Sequence, residues 1–433
     1  MTVLMYPLGV VLLALGIAAS IGLHEVGHML PAKKFGVKVT QYFVGFGRTV
    51  WSTRRGETEY GLKAVPLGGY VKLVGMLPPG REDEPGRIRK SNTGMFTQLI
   101  SDARAAEYEL VEEGDEDRLF YRLPWWKKVV VMAGGPMVNL VLAFLLFGSV
   151  FMFYGVYQPT TKVEKVSDCV YAASEGTRPC RPSDPVAPAK KAGLERGDVI
   201  VSMNGTRVTS WDHLTELIRA NENGAAVIVY ERDGERRTTS TNTMVSPRAS
   251  AEDPHRYVKV GFLGVAPEVV REKQDALFVL TTMGTYTWET VKALGQMPVK
   301  LWDVGKAALG LQERAQDSPM SVVGASRVAG EVTSSHDVPL SDRFVSLVTL
   351  LGGINLFVGM FNFVPLLPLD GGHIAGALYE ALRRGLARIL RRPDPGYFDT
   401  AKLLPVAYVM AGVILVMSVV LVYADIVAPV SLQ

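Results

Sequence analysis

The sequence predicts a polytopic α-helical membrane protein with four transmembrane helices, a strand-rich segment after the first helix and a soluble α+β module between the second and the third. Three observations support this fold class. Of the 433 residues, 48% are hydrophobic, and many of them fall in four long apolar stretches. Each stretch reaches the roughly 20 residues that cross a bilayer as a helix. Lys and Arg residues are concentrated beside these stretches.

The apolar stretches run from Tyr6 to about Leu30, from Lys128 to about Tyr157, from about Phe344 to Leu369 and from Leu403 to about Tyr423. No basic region precedes the first stretch and no small-residue cleavage motif follows it, so we expect a retained helix and not a signal peptide. We therefore divide the chain into the segments 1–76, 77–126, 127–157, 158–268, 269–343, 344–373, 374–402 and 403–433.

The distribution of basic residues predicts the orientation in the membrane. Lys and Arg follow the first stretch, precede the second and fill the segment between the third and the fourth. Cytoplasmic loops of membrane proteins carry an excess of such residues. We therefore expect residues 31–126 and 370–402 in the cytoplasm, and both termini with residues 158–343 outside. Nucleic acid is not an expected partner, because the basic residues form no stripe interleaved with aromatic side chains.

The segments between the apolar stretches differ in character. Residues 37–76 alternate and contain glycine turns, which is typical of short strands. Residues 77–126 are polar and charged, which indicates a cytoplasmic loop, and residues 158–268 combine strand–turn patterns with the short helix SWDHLTELIRA. Residues 269–343 carry apolar residues at helical spacing, which fits a helix on the membrane surface and a helix packed on the module equally well.

The two cysteines, Cys169 and Cys180, both fall in the segment that we expect outside the cytoplasm. An oxidising compartment permits a disulfide there, and we favour it over two free thiols in a loop. Neither a CxxC pattern nor a nearby histidine accompanies the pair, so we expect no metal site at these cysteines.

The stretch IGLHEVGHML places ionisable groups at the end of the first apolar stretch. A charge at the bilayer centre costs roughly 2.5–3.5 kcal/mol, which makes a functional role the default expectation. His24 and His28 lie one helical turn apart on one face and can bind the same Zn²⁺ ion. Glu25 can act as general base on the attacking water. The alternative is a chance pair of core histidines, which the membrane setting disfavours.

A catalytic zinc site needs a third protein ligand and keeps its fourth position for water. Asp370 ends the third apolar stretch at the same expected membrane depth as His24 and His28, and we predict it as that ligand. The alternative is an aspartate of an ordinary turn before two glycines. His373 is a weaker rival ligand.

Two asparagines lie in the third apolar stretch. Asn362 precedes two prolines, where the helix must break and expose backbone carbonyls. We expect its amide to contact a substrate backbone or an oxyanion. For Asn355 we favour the alternative role, a hydrogen bond to a neighbouring helix.

A peptide bond inside a membrane is hidden within a helix until that helix unwinds, so the substrate must be held extended. An exposed strand edge can hold an extended peptide through main-chain hydrogen bonds. Gly45, Phe46 and Gly47 follow the histidine helix directly, and their glycines permit a close backbone approach. We predict this edge as a substrate contact, with a plain turn as the alternative.

These motifs together resemble the site-2 protease family of intramembrane zinc metalloproteases, in particular the bacterial branch that cuts anti-sigma factors. HEVGH matches the family's HExxH motif, and NFVPLLPLDGG is similar to its NxxPxxxLDG pattern. VGFGR resembles its membrane-reentrant β-region on the cytoplasmic side, and AGGPMVN resembles the start of its second span. SDPVAPAKKAGLERGDVIVSMNG is similar to the extracytoplasmic PDZ modules of the family, of which one fits here.

The resemblance implies a Zn²⁺ endopeptidase of the bacterial plasma membrane, with its active site towards the cytoplasm and its PDZ-like domain outside. Its substrates would be single-span membrane proteins such as anti-sigma factors, cut within or near the bilayer. In this family His24, His28 and Asp370 would bind zinc, Glu25 would be the base and Asn362 would contact substrate.

Two other classes of function compete with this hypothesis. A membrane scaffold would use the PDZ-like module to bind partner tails, but a merely structural zinc site has no need of Glu25. A metal transporter would carry several histidines and carboxylates along a path through the spans, and the sequence shows a single cluster of them.

Overall fold

A computed structural model describes residues 2–79, 95–176, 178–250, 257–315, 317–336 and 338–430. The chain divides into two compact units. One combines Met1–Tyr154 with Asp275–Gln433, and the other is Gly155–Gln274.

The first half of the larger unit contains three helices and one β-hairpin. Their bounds are α1 Thr2–Lys34, β1 Val39–Arg55, β2 Thr58–Leu73, α2 Met95–Tyr108 and α3 Trp125–Ser149, which continues as a π-helical turn over Val150–Tyr154. Helix α2 lies inside the segment 77–126 that we predict as a loop. Its sequence MFTQLISDARAAEY is rich in good helix formers, which the charged residues around it obscure.

The hairpin is longer than the several short strands that we predict, because β1 and β2 are single bent strands. Because β2 bends, two of its parts can pair with opposite edges of β1. Val44 pairs with Gly69 and with Leu62, whereas Phe46 pairs with Val65 alone. One edge of β1 is therefore open from Phe46 onward.

The smaller unit, Gly155–Gln274, is an α+β module. Its elements are β3 Val156–Val166, α4 Pro188–Lys191, β4 Val199–Met203, β5 Thr206–Arg207, α5 Trp211–Ala220, β6 Ala225–Arg232, β7 Glu235–Asn242, β8 Met244–Ala249, β9 Tyr257–Phe262 and β10 Val265–Glu272. The main sheet has the order β10-β3-β4-β6-β7, with β5 beside β4, and β8 pairs with β9. Helix α5 turns Leu214 and Ile218 into a core that also contains Ile200, Ile228 and Leu263.

Five further helices complete the larger unit within the described residues. They are α6 Ala276–Ala308, α7 Val322–Ser334, α8 Leu340–Asn362, α9 Asp370–Ile389 and α10 Leu404–Val427. The predicted span 344–373 is therefore two helices joined by a short turn. Helix α8 ends at Asn362 because Pro365 and Pro368 follow it. Asp370 opens α9, which occupies much of the segment that we predict as a basic loop, 374–402.

Four helices of the described residues are long and apolar enough to cross a membrane. They cover Leu4–Lys34, Trp125–Tyr154, Leu340–Asn362 and Thr400–Val427. This confirms the prediction of four membrane-length helices.

Helices α1 and α3 pack through glycine. A Cβ atom on Gly27 would lie 2.7 Å from the carbonyl carbon of Gly134, and one on Gly134 would overlap the carbonyl oxygen of Gly27. Only glycine permits such a close approach of two backbones. The crossing lies at the level of the histidine motif, and so it determines what α3 presents to that motif.

Candidate metal centre

Helix α1 places both histidines of the motif on one face, as their spacing predicts. The Nε2 atoms of His24 and His28 are 3.2 Å apart. Each of these atoms also lies 3.4 Å from Oδ2 of Asp370. The structure thus brings together three side chains from two helices that are far apart in sequence.

A backbone carbonyl fixes the orientation of His28, whose side chain is 7% exposed. Its Nδ1 lies 2.8 Å from the carbonyl oxygen of Val131 in α3. Because a carbonyl oxygen can only accept, Nδ1 carries the proton and donates it. The lone pair of Nε2 then points to the other two donor atoms, which is the usual arrangement of a metal-binding histidine.

Glycines after Leu369 bring Asp370 to the histidines. A Cβ atom on Gly371 would lie 2.6 Å from the carbonyl carbon of Phe363, and one on Gly372 would lie 2.6 Å from the backbone nitrogen of Leu367. The start of α9 therefore packs directly against the backbone of the turn that follows α8. This contact places the Asp370 carboxylate at the level of the His24–His28 pair.

A third glycine forms the wall behind the histidines. A Cβ atom on Gly135 of α3 would overlap His28 Nε2 and would lie 2.7 Å from His24 Nε2. The space beside the donor atoms exists because position 135 has no side chain.

The three donor atoms fit a tetrahedral zinc ion. Zinc binds histidine nitrogen and carboxylate oxygen at about 2.0–2.2 Å, so neighbouring donors of a tetrahedron lie about 3.3–3.6 Å apart. The observed separations of 3.2 and 3.4 Å agree with these values. Among the described residues, this is the only group of three such ligands found close enough together to hold a metal ion.

A cavity of about 230 Å³ opens beside the histidine pair. Its polar lining includes Glu25 and three asparagines, and the β-hairpin contributes Gly68 and Gly69. A Cβ atom on Gly69 would lie 3.0 Å from Cγ of Glu25, so strand β2 passes directly beside this carboxylate. The asparagines are Asn139, Asn355 and Asn362. The cavity is thus large enough for part of a peptide, and it places these polar side chains within a mostly apolar wall.

The two predicted asparagines play different parts in the structure. Asn362 is the last residue of α8 and lines the cavity with Glu25. Asn355 is buried and donates from Nδ2 to the Ser20 hydroxyl of α1 at 3.0 Å and to the Leu351 carbonyl at 2.9 Å. Asn355 therefore joins α8 to α1 and also lines the cavity.

The predicted strand edge lies next to the cavity lining and is not part of it. The ring of Phe46 covers Gly68, since a Cβ atom there would overlap the ring. Gly45 and Gly47 have φ values of +95° and +87°, which residues with a side chain rarely adopt.

His373, the weaker rival ligand, is not in the group of three donors.

Sequence reasoning missed Val131, Gly135, Asn139 and the Gly68–Gly69 pair. Val131 acts through its carbonyl, which no side-chain pattern reveals. The motif AGGPMVN contains Gly135 and Asn139 and was a usable signal, but the sequence does not show that this part of α3 crosses α1 at the histidines.

The cysteines lie in the smaller unit, away from these elements in sequence. Cys169 and Cys180 are joined by a disulfide, with their Cα atoms 6.0 Å apart. Beside it, Arg178 donates to both carboxylate oxygens of Asp184, at 2.6 and 3.1 Å.

Comparison with known proteins agrees with this geometry. The sequence profile of Peptidase family M50 matches residues 12–390. The chain is 33% identical to the zinc metalloprotease Rip1 of Mycobacterium tuberculosis, over 99% of this chain and 100% of that protein. It is 26% identical to the metalloprotease MmpA of Caulobacter vibrioides, over 83% of each chain. Because the profile covers most of the sequence and the mycobacterial relative aligns over its full length, the chain belongs to peptidase family M50 and is a membrane metalloprotease of that family.

Proposed function

We propose that this protein is an intramembrane zinc endopeptidase that hydrolyses peptide bonds within or near the transmembrane segments of single-span membrane proteins, such as anti-sigma factors. One observation carries the proposal. Three metal-ligand atoms lie 3.2–3.4 Å apart beside a cavity that is also lined by Glu25, in a unit that contains four helices of membrane length. A scaffold protein has no use for a carboxylate at that position.

In this mechanism His24, His28 and Asp370 hold the metal, and Glu25 is the general base. When bound there, zinc would supply Lewis acidity, which lowers the pKa of water and makes a nucleophile available near neutral pH. Glu25 accepts the proton of the attacking water and passes it to the leaving amide nitrogen. The Val131 carbonyl keeps His28 in the tautomer that leaves Nε2 free.

The substrate is bound as an extended chain. The open edge of β1 at Gly45, Phe46 and Gly47 offers main-chain donors and acceptors to it, since Phe46 pairs on one side only. Asn362 lines the cavity with Glu25 and supplies an amide to the substrate carbonyl. Together these groups replace the hydrogen bonds that a helix loses when it unwinds.

We further propose that the smaller unit, Gly155–Gln274, is a PDZ-like domain outside the cytoplasm that screens substrates. The orientation rests on basic residues. Lys33 and Lys34 end α1, and α9 carries arginines such as Arg383 and Arg388, which favours a cytoplasmic position for both helix ends. The metal centre then lies towards the cytoplasmic face of the bacterial plasma membrane.

Cleavage of a tagged anti-sigma factor in membranes tests the function. The substrate is first trimmed on its outer side, and wild type is compared with Glu25→Gln and with the exposed control Glu113→Gln. Loss of the general base should lower the rate by about 10²–10⁴-fold, while Glu113→Gln should cleave like wild type. Zinc content should be equal in all three proteins. Equal cleavage by wild type and Glu25→Gln would contradict the proposed role of Glu25.

A further inference from the structure

A buried ion pair joins α3 to α9. Nζ of Lys128 donates to Oε2 of Glu380 at 2.8 Å, and the side chains are 7% and 1% exposed. The same Oε2 accepts the backbone N–H of Phe398 at 3.0 Å. On the other side, Nη1 of Arg384 lies 3.5 Å from Oε1. The Glu380 carboxylate is thus held by several groups and is not accessible to solvent.

Both partners stand on helices that build the metal centre. Lys128, Val131 and Gly135 follow one another along α3 at the spacing i, i+3 and i+7, which places them on one helix face. Val131 orients His28, and Gly135 forms the wall behind the donor atoms. Glu380 belongs to α9, whose first residue is the predicted ligand Asp370.

The ion pair attaches α9 to α3 well beyond the first turn of α9. At its start, α9 rests on the turn after α8 through Gly371 and Gly372. Glu380 lies ten residues further along the helix, which corresponds to about 15 Å along its axis. Together with the packing of Gly376 against the Phe398 ring, contacts at that separation fix the direction of α9. Loss of the ion pair would loosen α9 from α3 and let the Asp370 carboxylate move.

We propose that Lys128 and Glu380 are positioning residues of the metal centre, which hold Asp370 at the distance from His24 and His28 that zinc requires. This inference rests on the proposed ligand set. The pair acts on the metal through α3 and α9 and touches neither substrate nor reacting atoms. Loss of the ion pair should therefore lower the zinc affinity directly. It should change the catalytic rate only through that loss.

The test is the zinc affinity of the purified full-length protein, freed of metal and titrated with zinc against a chromogenic chelator. Glu380→Gln should bind zinc about 10- to 100-fold more weakly than wild type, as is typical when a group that supports a ligand is lost. Asp425→Asn is the matched control. Asp425 forms an equally buried ion pair with Arg314, at 2.7 Å, but it binds the start of α7. This control should keep wild-type zinc affinity.

A double variant separates positioning from folding. Replacing one partner leaves a buried charge without its counterion, whereas replacing both by apolar residues avoids that cost. Lys128→Met/Glu380→Met should recover the thermal stability of the metal-free protein, relative to either single variant. Its loss of zinc affinity should be smaller than the product of the two single losses, because the residues act as a pair.

The outcomes distinguish this inference from the proposed function. Wild-type zinc affinity in Glu380→Gln, with affinity lost in Asp370→Ala, would overturn the positioning role alone. Equal weakening in Asp425→Asn would overturn it too, because a general loss of stability would then explain the effect. Zinc affinity that survives Asp370→Ala would contradict the ligand set and this inference with it.

Discussion

The metal centre and the module Gly155–Gln274 are held together in different ways. At the metal centre, backbones and side chains approach each other through glycine, as Gly135 does beside both imidazole rings. The module has a compact apolar core, and ion pairs hold some of its charged groups. Asp198, for example, is fully buried and accepts two hydrogen bonds from Arg232, at 2.7 and 2.8 Å.

Because they are held together differently, the two regions should respond differently to a small structural change. A close-packed protein interior has little free space, so a single added methyl group displaces the atoms around it. A zinc site also fails when its ligands move by a few tenths of an ångström, since acceptable distances vary by about 0.2 Å. In the module, one loop can lose a restraint while the core around Leu214 stays intact. We therefore expect one added methyl group at the metal centre to lower the zinc affinity more than removal of the disulfide in the module does.

The largest effect is expected for Gly135→Ala. The new methyl group would overlap His28 Nε2, so the histidines must move and zinc binding should fall by more than about 100-fold. Zinc titration of the metal-free protein measures this. Gly148→Ala in the same helix is the control, because its Cβ would meet only Val279 at 3.8 Å. If both variants bind zinc like wild type, the metal centre tolerates an added methyl group and this prediction is wrong.

A smaller effect is expected for Gly69→Ala, which acts on Glu25 and not on the ligands. Its methyl group would lie 3.0 Å from Cγ of Glu25 and should displace the carboxylate. A misplaced catalytic group of this kind costs up to about 10²-fold in rate. We expect kcat to fall by about 10- to 100-fold with zinc content unchanged. Gly353→Ala, which has open space around it, should leave kcat at the wild-type value.

The same contrast explains what the sequence could predict. The pairing of His24 with His28 follows from the period of an α-helix, and Asp370 follows from its expected depth in the membrane. Four membrane-length helices follow from composition. The crossing of α1 and α3 at Gly27 and Gly134 does not, because it depends on packing between segments about a hundred residues apart. Gly135 and the Val131 carbonyl owe their role to that crossing, so no local pattern identifies them.

The break after Asn362 was visible in the two prolines, but its consequence was not. Proline ends a helix without saying where the chain goes next. Gly371 and Gly372 let α9 begin at once against the preceding turn. Asp370 thereby becomes the first residue of a new helix, where the prediction of a single span over 344–373 put it at the end of an old one.

In the module, removal of the disulfide should have a moderate and local effect. Cys169 and Cys180 enclose a short loop, with a sequence separation of 11 residues. For such a loop the chain-entropy model gives about 3 kcal/mol of stabilisation. Cys169→Ser/Cys180→Ser should lower the thermal stability of Gly155–Gln274 and raise hydrogen exchange around the loop. Zinc affinity should stay at the wild-type value, and a loss of zinc in this variant would contradict an effect confined to the module.

The smallest effect is expected from the ion pair Arg178–Asp184, which joins this loop to the residues that follow it. Hydrogen bonds from Arg178 lower the pKa of Asp184 to about 2. A carboxyl whose pKa is lower in the folded state stabilises the fold above its unfolded pKa, near 3.8, and this contribution is lost as the pH falls towards 2. The protection of the loop amides, taken relative to their intrinsic exchange rates, should therefore fall between pH 4 and pH 2. Asp184→Asn cannot titrate there, and the difference between the two proteins should be present at pH 5 and vanish at the acid end. A difference that persists through the acid range would mean that the side chain restrains the loop by its shape alone, and that the charge of Asp184 adds nothing to the disulfide beside it.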